Sequence, residues 1–253
     1  MRGLRYMVIV VALMASVEAL AWCAEVNKAI LMFAEQNMTN RAKREVAAIL
    51  GAPLCSVEFE NGGKSRTLLD ESGKSITTDA EDAVVRLEKA VAILSDRDAT
   101  AEERKKALKI AAEMTVDIHG PSNILVAKAL EADFSFGRDN GRPKSSRWHK
   151  VDKMSWQKMW HSNFHASLGA FSAEMYLYDW TIATKGLAKE YKNGLFSPRQ
   201  WAEQTGEVVL ATLPTFKPGS VVNRIEITKL GEQNNMAMYR AAFRLATLLN
   251  SIR

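Results

Sequence analysis

The stretch TAEERKKALKIAAEMTVDIHGP, residues 100–121, decides the fold of this chain. It opens with a capping box, in which the side chains of Thr100 and Glu103 satisfy backbone N–H groups at the start of a helix. Apolar residues then recur at helical spacing, and Gly120-Pro121 provides a sharp stop. The stretch therefore predicts one long helix that ends near His119.

Two acidic residues lie four positions apart within this helix, Glu113 and Asp117. That spacing places both carboxylates on one helix face, where two like charges destabilise a bare helix by about 0.2–0.5 kcal/mol. A shared cation would reverse the sign of this interaction. Lys109, one turn before Glu113, offers a simpler compensation, so the spacing alone leaves both interpretations open.

Helical patterns continue over most of the chain. One pattern stops at Gly51-Ala-Pro53, another opens with a capping box at Thr78–Glu81, and a third has Pro198 in its first turn, a favoured place. No repeat and no interior linker separates them, so we expect one all-α domain over residues 22–253. The predicted helices are Val26–Leu50, one from Thr78 through Leu94, Trp156–Tyr191, Ser197–Leu213 and Asn235–Ile252, with an irregular basic stretch over Phe134–Lys158.

The first 21 residues have the pattern of a secretory signal peptide. Arg2 and Arg5 precede an apolar run, Met7–Ala15, and Ala19 and Ala21 form an A-x-A cleavage site. Cleavage would leave a chain that begins at Trp22 and is secreted or periplasmic. Lipidation of Cys23 is a weaker alternative, because bulky Trp22 occupies a position where a small residue is needed. No later segment is long and apolar enough to span a membrane.

Composition indicates a folded domain rather than a disordered tail, since 47% of the residues are hydrophobic and 25% are charged. The formal charge of +5 becomes +4 once the signal peptide is removed, which is compatible with an anionic partner. The two cysteines, Cys23 and Cys55, either pair in an oxidising compartment or stay as free thiols. Two cysteines alone cannot form a zinc finger.

The segment HSNFH, His161 to His165, places two imidazoles four residues apart, a spacing that suits zinc. By pattern alone this is a weak signal, and the alternative is two partly exposed neighbours on a tryptophan-rich helix. The basic stretch before them interleaves cations and aromatic rings, a pattern typical of single-strand nucleic-acid binding. Its candidate contacts are Arg142, Arg147, Trp148 and Lys150, and the alternative is a solvated loop that its tryptophans anchor to the core.

Five segments together resemble the zinc-dependent single-strand nuclease family of the S-one/P-one type. They are WCAEVN at residue 22, ALKIAAEMTVDIHGPSN at residue 107, WHSNFH followed by YLYDW at residues 160–180, WAEQT at residue 201 and RAAFRLATLLNSI at residue 240. The resemblance implies an all-helical domain of the zinc-dependent nuclease/phospholipase C type. It also implies phosphodiester hydrolysis by clustered zinc ions, which lower the pKa of a bound water and neutralise phosphate charge.

Carried over position by position, the resemblance implies a metal set that is only partly kept. Trp22 matches the N-terminal ligand, Asp117 the bridging and catalytic aspartate, and His161 a histidine ligand. Glu113, Asn27 and Asn123 stand where the family has histidine, and His165 stands where it has aspartate. Asparagine binds zinc poorly, so Asn27 and Asn123 are weak or lost ligand positions. The segment that carries a further aspartate and histidine in the family is contracted here to the loop Cys55–Ser75, which has no histidine and in which Asp70 and Glu71 are the candidate substitutes.

This ligand set implies one or two zinc ions rather than three, or none. An alternative register would use His149 and Asp152 in place of His161. The sequence therefore predicts an exported, monomeric endonuclease that prefers single strands and has an altered zinc site. The alternative is a catalytically inactive descendant, a pseudoenzyme that binds nucleic acid or another anion. A third hypothesis is an exported interaction protein that uses its tryptophan-rich surface.

Overall fold

The structure, a computed structural model, describes residues 22, 24–59, 65–76, 79–126, 135–139, 151–155, 160, 172–183, 197–213 and 219–252. These residues are mostly helical, which confirms the predicted all-α class. The described part of the chain forms seven helices: α1 Ala24–Asn37, α2 Asn40–Leu50, α3 Ala83–Ser95, α4 Ala101–His119, α5 Ala173–Ala183, α6 Pro198–Thr212 and α7 Arg224–Ser251. Its strands are β1 Thr67–Leu69, β2 Ile124–Val126, β3 Ser135–Asp139, β4 Val151–Ser155 and β5 Val221–Val222.

Helix α4 is the central element and has the predicted ends. The Thr100 hydroxyl accepts from the Glu103 N–H at 3.2 Å, and the Glu103 carboxylate accepts from the Thr100 N–H at 2.8 Å. The helix ends at Gly120, whose N–H donates to the Asp117 carbonyl. Residues 111–119 are all buried, because α4 packs against α3, α6, α7, α2 and α1. A helix buried on every side can carry polar groups only where other elements supply partners for them.

The predicted helix Val26–Leu50 is two helices. Helix α1 ends at Asn37, and Thr39 caps α2 by accepting from the Ala42 N–H. Apolar spacing alone did not show this break, because the hydrophobic pattern continues across it. The predicted end is correct, since Gly51 adopts a left-handed conformation with φ 74° and donates to the Ala47 carbonyl.

Two helix starts differ from the prediction. Helix α3 begins after Asp82, whose carboxylate accepts from the N–H groups of Val84 and Val85, rather than from the box at Thr78. Helix α7 begins at Arg224, after a capping box formed by Asn223 and Glu226. Its first three turns contain Gly231 and Asn234, which are weak helix formers, so the apolar pattern predicts the helix only from residue 235.

The basic stretch Phe134–Lys158 was predicted to be irregular, but the residues of it that the structure describes, 135–139 and 151–155, form strands. Strands β3 and β4 pair antiparallel with Ser135 opposite Ser155 and Asp139 opposite Val151, and β5 pairs parallel with β3. A second pair, β1 and β2, is parallel. Such pairs form between distant segments, so local propensity does not reveal them. Helix α5, the preceding Ser172 and Trp160 lie within the predicted helix Trp156–Tyr191, whose other residues are outside the described part.

Two hydrophobic clusters meet at α4. Met114 and Ile118 belong to the larger cluster, and Val116 belongs to a cluster that includes Trp22 and the aromatic rings of α1, α5 and α7. Gly206 of α6 lies directly against the side chain of Leu69 in β1, which is a fully buried member of the larger cluster. Among the described residues, no helix has the length and apolarity needed to cross a bilayer.

Candidate functional site

The last turns of α4 place polar side chains in the interior. Glu113 is 2% exposed and Asp117 is fully buried on one face of the helix. Thr115 and His119, also buried, lie four residues apart on a different face. The predicted juxtaposition of Glu113 and Asp117 is therefore correct. Both carboxyl groups lie in the protein interior rather than at the surface.

The Asp117 carboxylate is held by donors from two separate segments. The Ser65 backbone N–H, in the segment before β1, donates to Oδ2 at 3.0 Å. The Asn123 amide, in the short turn Pro121–Asn123 that follows α4, donates to Oδ1 at 3.2 Å. Asn123 was predicted as a weak or lost ligand position, and the structure places it next to the predicted bridging aspartate.

Burial raises the pKa of the Asp117 carboxyl well above its usual range, and the neighbouring Glu113 raises it further. The hydrogen bonds from Ser65 and the positive charge of Arg86 lower this pKa without reversing the shift. Taking a carboxylate out of water disfavours its charged form, whereas a nearby cation favours it. Two adjacent buried carboxylates would therefore stabilise a cation bound between them.

Trp22, the predicted N-terminal ligand position, has a fully buried side chain. Its indole Nε1–H donates to the Asn234 amide oxygen at 3.0 Å, and the Asn234 amide nitrogen donates to the Trp160 carbonyl at 3.4 Å. Trp160 directly precedes His161 in the sequence. One asparagine of α7 thus links the first predicted motif to Trp160, the first residue of the third.

Two other predicted positions on described elements differ in their surroundings. Asn27 lies on α1 and is partly buried, and its amide oxygen accepts no hydrogen bond from the described residues. The Asp70 carboxylate accepts from Ser72 and from the Lys74 N–H, so it closes its own exposed turn. These hydrogen bonds lower the pKa of Asp70. Glu71 is exposed beside it.

Several predicted residues lie outside the described part of the chain. They are the metal-site candidates His161 and His165, the alternative His149, the nucleic-acid candidates Arg142, Arg147, Trp148 and Lys150, and Cys23.

Cys55 forms no disulfide with any described residue, and its pairing with Cys23 stays a prediction. Burial and the adjacent Glu35 raise the pKa of the Cys55 thiol.

His119 cannot act as a ligand in this arrangement, because both ring nitrogens are occupied. Nδ1–H donates to the Thr115 carbonyl at 2.6 Å, and Nε2 accepts from the Arg244 guanidinium at 2.8 Å. Burial lowers the pKa of His119 well below its usual value, and the charge of Arg244 lowers it further. His119 is therefore a neutral histidine that joins α4 to α7.

Within the described residues, no group of three or more His, Cys, Asp or Glu side chains is placed to hold a metal ion. The described part of the site fits two carboxylate ligands, Glu113 and Asp117, and supplies no histidine nitrogen. It does not by itself fit a three-zinc centre. The nitrogen ligands that the sequence predicts, His161 and His165, lie outside the described part of the chain.

The sequence did not indicate three residues that organise this site: Ser65, Arg86 and Asn234. Asn234 carried a signal, since an asparagine inside a long helix is unfavourable unless its side chain has a specific partner. Ser65 contacts Asp117 through its backbone N–H. Because almost every residue type has this group, the sequence carried no signal for the contact. Arg86 was indistinguishable from the other cations of an amphipathic helix.

No known family model matches this chain, and no curated protein is detectably similar to it in sequence. The resemblance to the zinc-dependent nucleases therefore rests on the quoted motifs alone.

Proposed function

We propose that this protein is an exported, metal-dependent phosphodiester hydrolase that cleaves single-stranded nucleic acid with a reduced zinc site. The observation that supports the proposal is the convergence of three separate motifs. Trp22 packs in the same cluster as Val116, which is adjacent to Asp117 on α4, and Asn234 joins Trp22 to Trp160. Motifs that are far apart in the chain thereby belong to the hydrophobic clusters that also include residues of α4, the helix that carries the two buried carboxyl groups.

In this proposal Glu113 and Asp117 are the carboxylate ligands, and His161 and His165 are the nitrogen ligands. A bound zinc ion would lower the pKa of a water molecule and stabilise charge on the phosphate. The protein holds Asp117 in a fixed orientation through Ser65 and Asn123. The basic residues Arg142, Arg147 and Lys150 would attract the phosphate backbone.

The second candidate function is an inactive descendant that binds single-stranded nucleic acid without cleaving it. One observation favours it: both oxygens of Asp117 already accept hydrogen bonds, so the carboxyl group is satisfied without a metal. The asparagines at positions 27 and 123 also favour this second candidate, because asparagine binds zinc poorly.

Metal content separates the two candidates. The signal-cleaved protein is equilibrated with zinc, freed of excess metal and measured by native mass spectrometry. We expect one or two zinc ions per chain, and we expect Asp117→Asn to lose at least one of them. Cleavage of a single-stranded oligonucleotide should fall on the order of a hundredfold in the same variant, since the ligand set acts directly on the reacting phosphate.

Glu102→Gln is the matched control, because Glu102 lies exposed in the first turn of the same helix. It should keep both zinc and activity. If the folded wild-type protein binds single-stranded DNA but no zinc, the proposed hydrolase function is contradicted. The second candidate, a protein that binds nucleic acid without cleaving it, is then supported. Binding whose affinity falls steeply with salt would identify phosphate contacts as the source of that affinity.

A further inference from the structure

Asp117 depends for its orientation on a residue from a distant part of the chain. The Ser65 N–H reaches its Oδ2 across 52 positions of sequence, and Ser65 is itself 8% exposed. A fully buried carboxylate has no water to reorient it, so these donors determine where its lone pairs point. Any group that fixes Ser65 therefore also fixes Asp117.

Arg86 of α3 is such a group. Its guanidinium donates to the Ser65 hydroxyl at 2.7 Å and is partly buried. The backbone next to Ser65 is tied to the same helix, since the Ala83 N–H donates to the Arg66 carbonyl at 3.0 Å. Helix α3 thus holds the segment before β1 at two points, through one backbone bond and one side chain.

We propose that Arg86 is a positioning residue for Asp117: it holds Ser65 so that the Ser65 N–H stays aimed at the carboxylate. Arg86 acts through Ser65. A carboxylate that is held in place is better oriented to bind a metal ion, so loss of Arg86 should also weaken zinc binding. The consequence for zinc rests on the proposed function, whereas the orientation of Asp117 does not.

The direct test is hydrogen exchange of the Ser65 amide, measured by NMR on the full signal-cleaved protein without metal. We expect Arg86→Gln to speed this exchange about tenfold, with partial recovery in Arg86→Lys, because lysine keeps the charge but not the guanidinium geometry. Ser65→Ala removes only the hydroxyl and should have a similar effect. Arg86→Lys also keeps the test decisive if the glutamine variant does not fold.

Arg199→Gln is the matched control. Arg199 is also partly buried and donates to a serine hydroxyl, that of Ser75, at 3.0 Å, but no described hydrogen bond joins this pair to Asp117. It should leave Ser65 exchange unchanged. Equal exchange at Ser65 in wild-type and Arg86→Gln protein would overturn the inference, whatever the metal content.

Zinc affinity, measured by competition with a chromophoric chelator, tests the consequence. Loss of a residue that orients a ligand typically weakens metal binding 10–100-fold, and we expect a fall of about that size in Arg86→Gln and none in Arg199→Gln. Faster Ser65 exchange in a protein that binds no zinc would support the positioning of Asp117 and refute the proposed function. Altered exchange with unaltered zinc affinity would overturn the link between Arg86 and the metal.

Discussion

Replacing Asn234 by alanine should destabilise the protein by about 1–3 kcal/mol. The fully buried Asn234 accepts from the Trp22 indole at 3.0 Å and donates to the Trp160 carbonyl at 3.4 Å. Leaving the buried indole N–H unsatisfied costs about 1–3 kcal/mol. The longer bond to Trp160 adds less, and the better helix propensity of alanine returns about half a kcal/mol.

The assay is urea unfolding of the metal-free, signal-cleaved protein, followed by tryptophan fluorescence. A double-mutant cycle isolates the bond, because Trp22→Phe removes the indole donor that Asn234→Ala leaves unsatisfied. We expect the double variant to lose about 1 kcal/mol less than the sum of the two single variants.

Asn235→Ala serves as the control on the same turn of α7. Asn235 accepts from Trp180 at 2.6 Å rather than from Trp22, so its effect should add to that of Trp22→Phe within about 0.5 kcal/mol. Additive effects of Trp22→Phe and Asn234→Ala, or a cost of Asn234→Ala below about 0.5 kcal/mol, would refute the reasoning that this asparagine joins two motifs.

Three further predictions concern the core, pH and the cysteines. Gly206→Ala should destabilise the protein by about 1–3 kcal/mol in urea unfolding, because the added methyl group would overlap the buried Leu69 side chain, and Leu69→Ala should partly relieve that cost. In EDTA, the free energy of unfolding should fall as pH rises above about 4, the pKa of an aspartate in the unfolded chain, because the pKa of Asp117 is raised in the folded protein. Asp117→Asn should make the free energy of unfolding depend less steeply on pH. An equal dependence in both proteins would contradict the prediction. If Cys23 and Cys55 pair on export, thiol titration of the denatured protein should find no free thiols before reduction and two after it.

The helices of the described part were largely predictable, because a helix is stabilised by contacts between residues close in sequence. The capping box at Thr100 and the stop at Gly120-Pro121 are local, and both ends of α4 are where they were expected. The break at Thr39 was missed because a short polar cap can interrupt a hydrophobic pattern without changing it. Local signals thus established the all-α class and placed Glu113 beside Asp117.

Tertiary structure alone decided which groups surround those two acids. Strands β3 and β4 exist because they pair with each other, and no residue in either one specifies its partner. Likewise, the Ser65 N–H bonds to Asp117 across 52 positions, and Asn234 joins segments that lie 74 and 212 positions away. The sequence by itself determined the helices and the chemistry that they carry, because helical order is local. The burial of Asp117 and the donors that fix it followed only from how those helices pack.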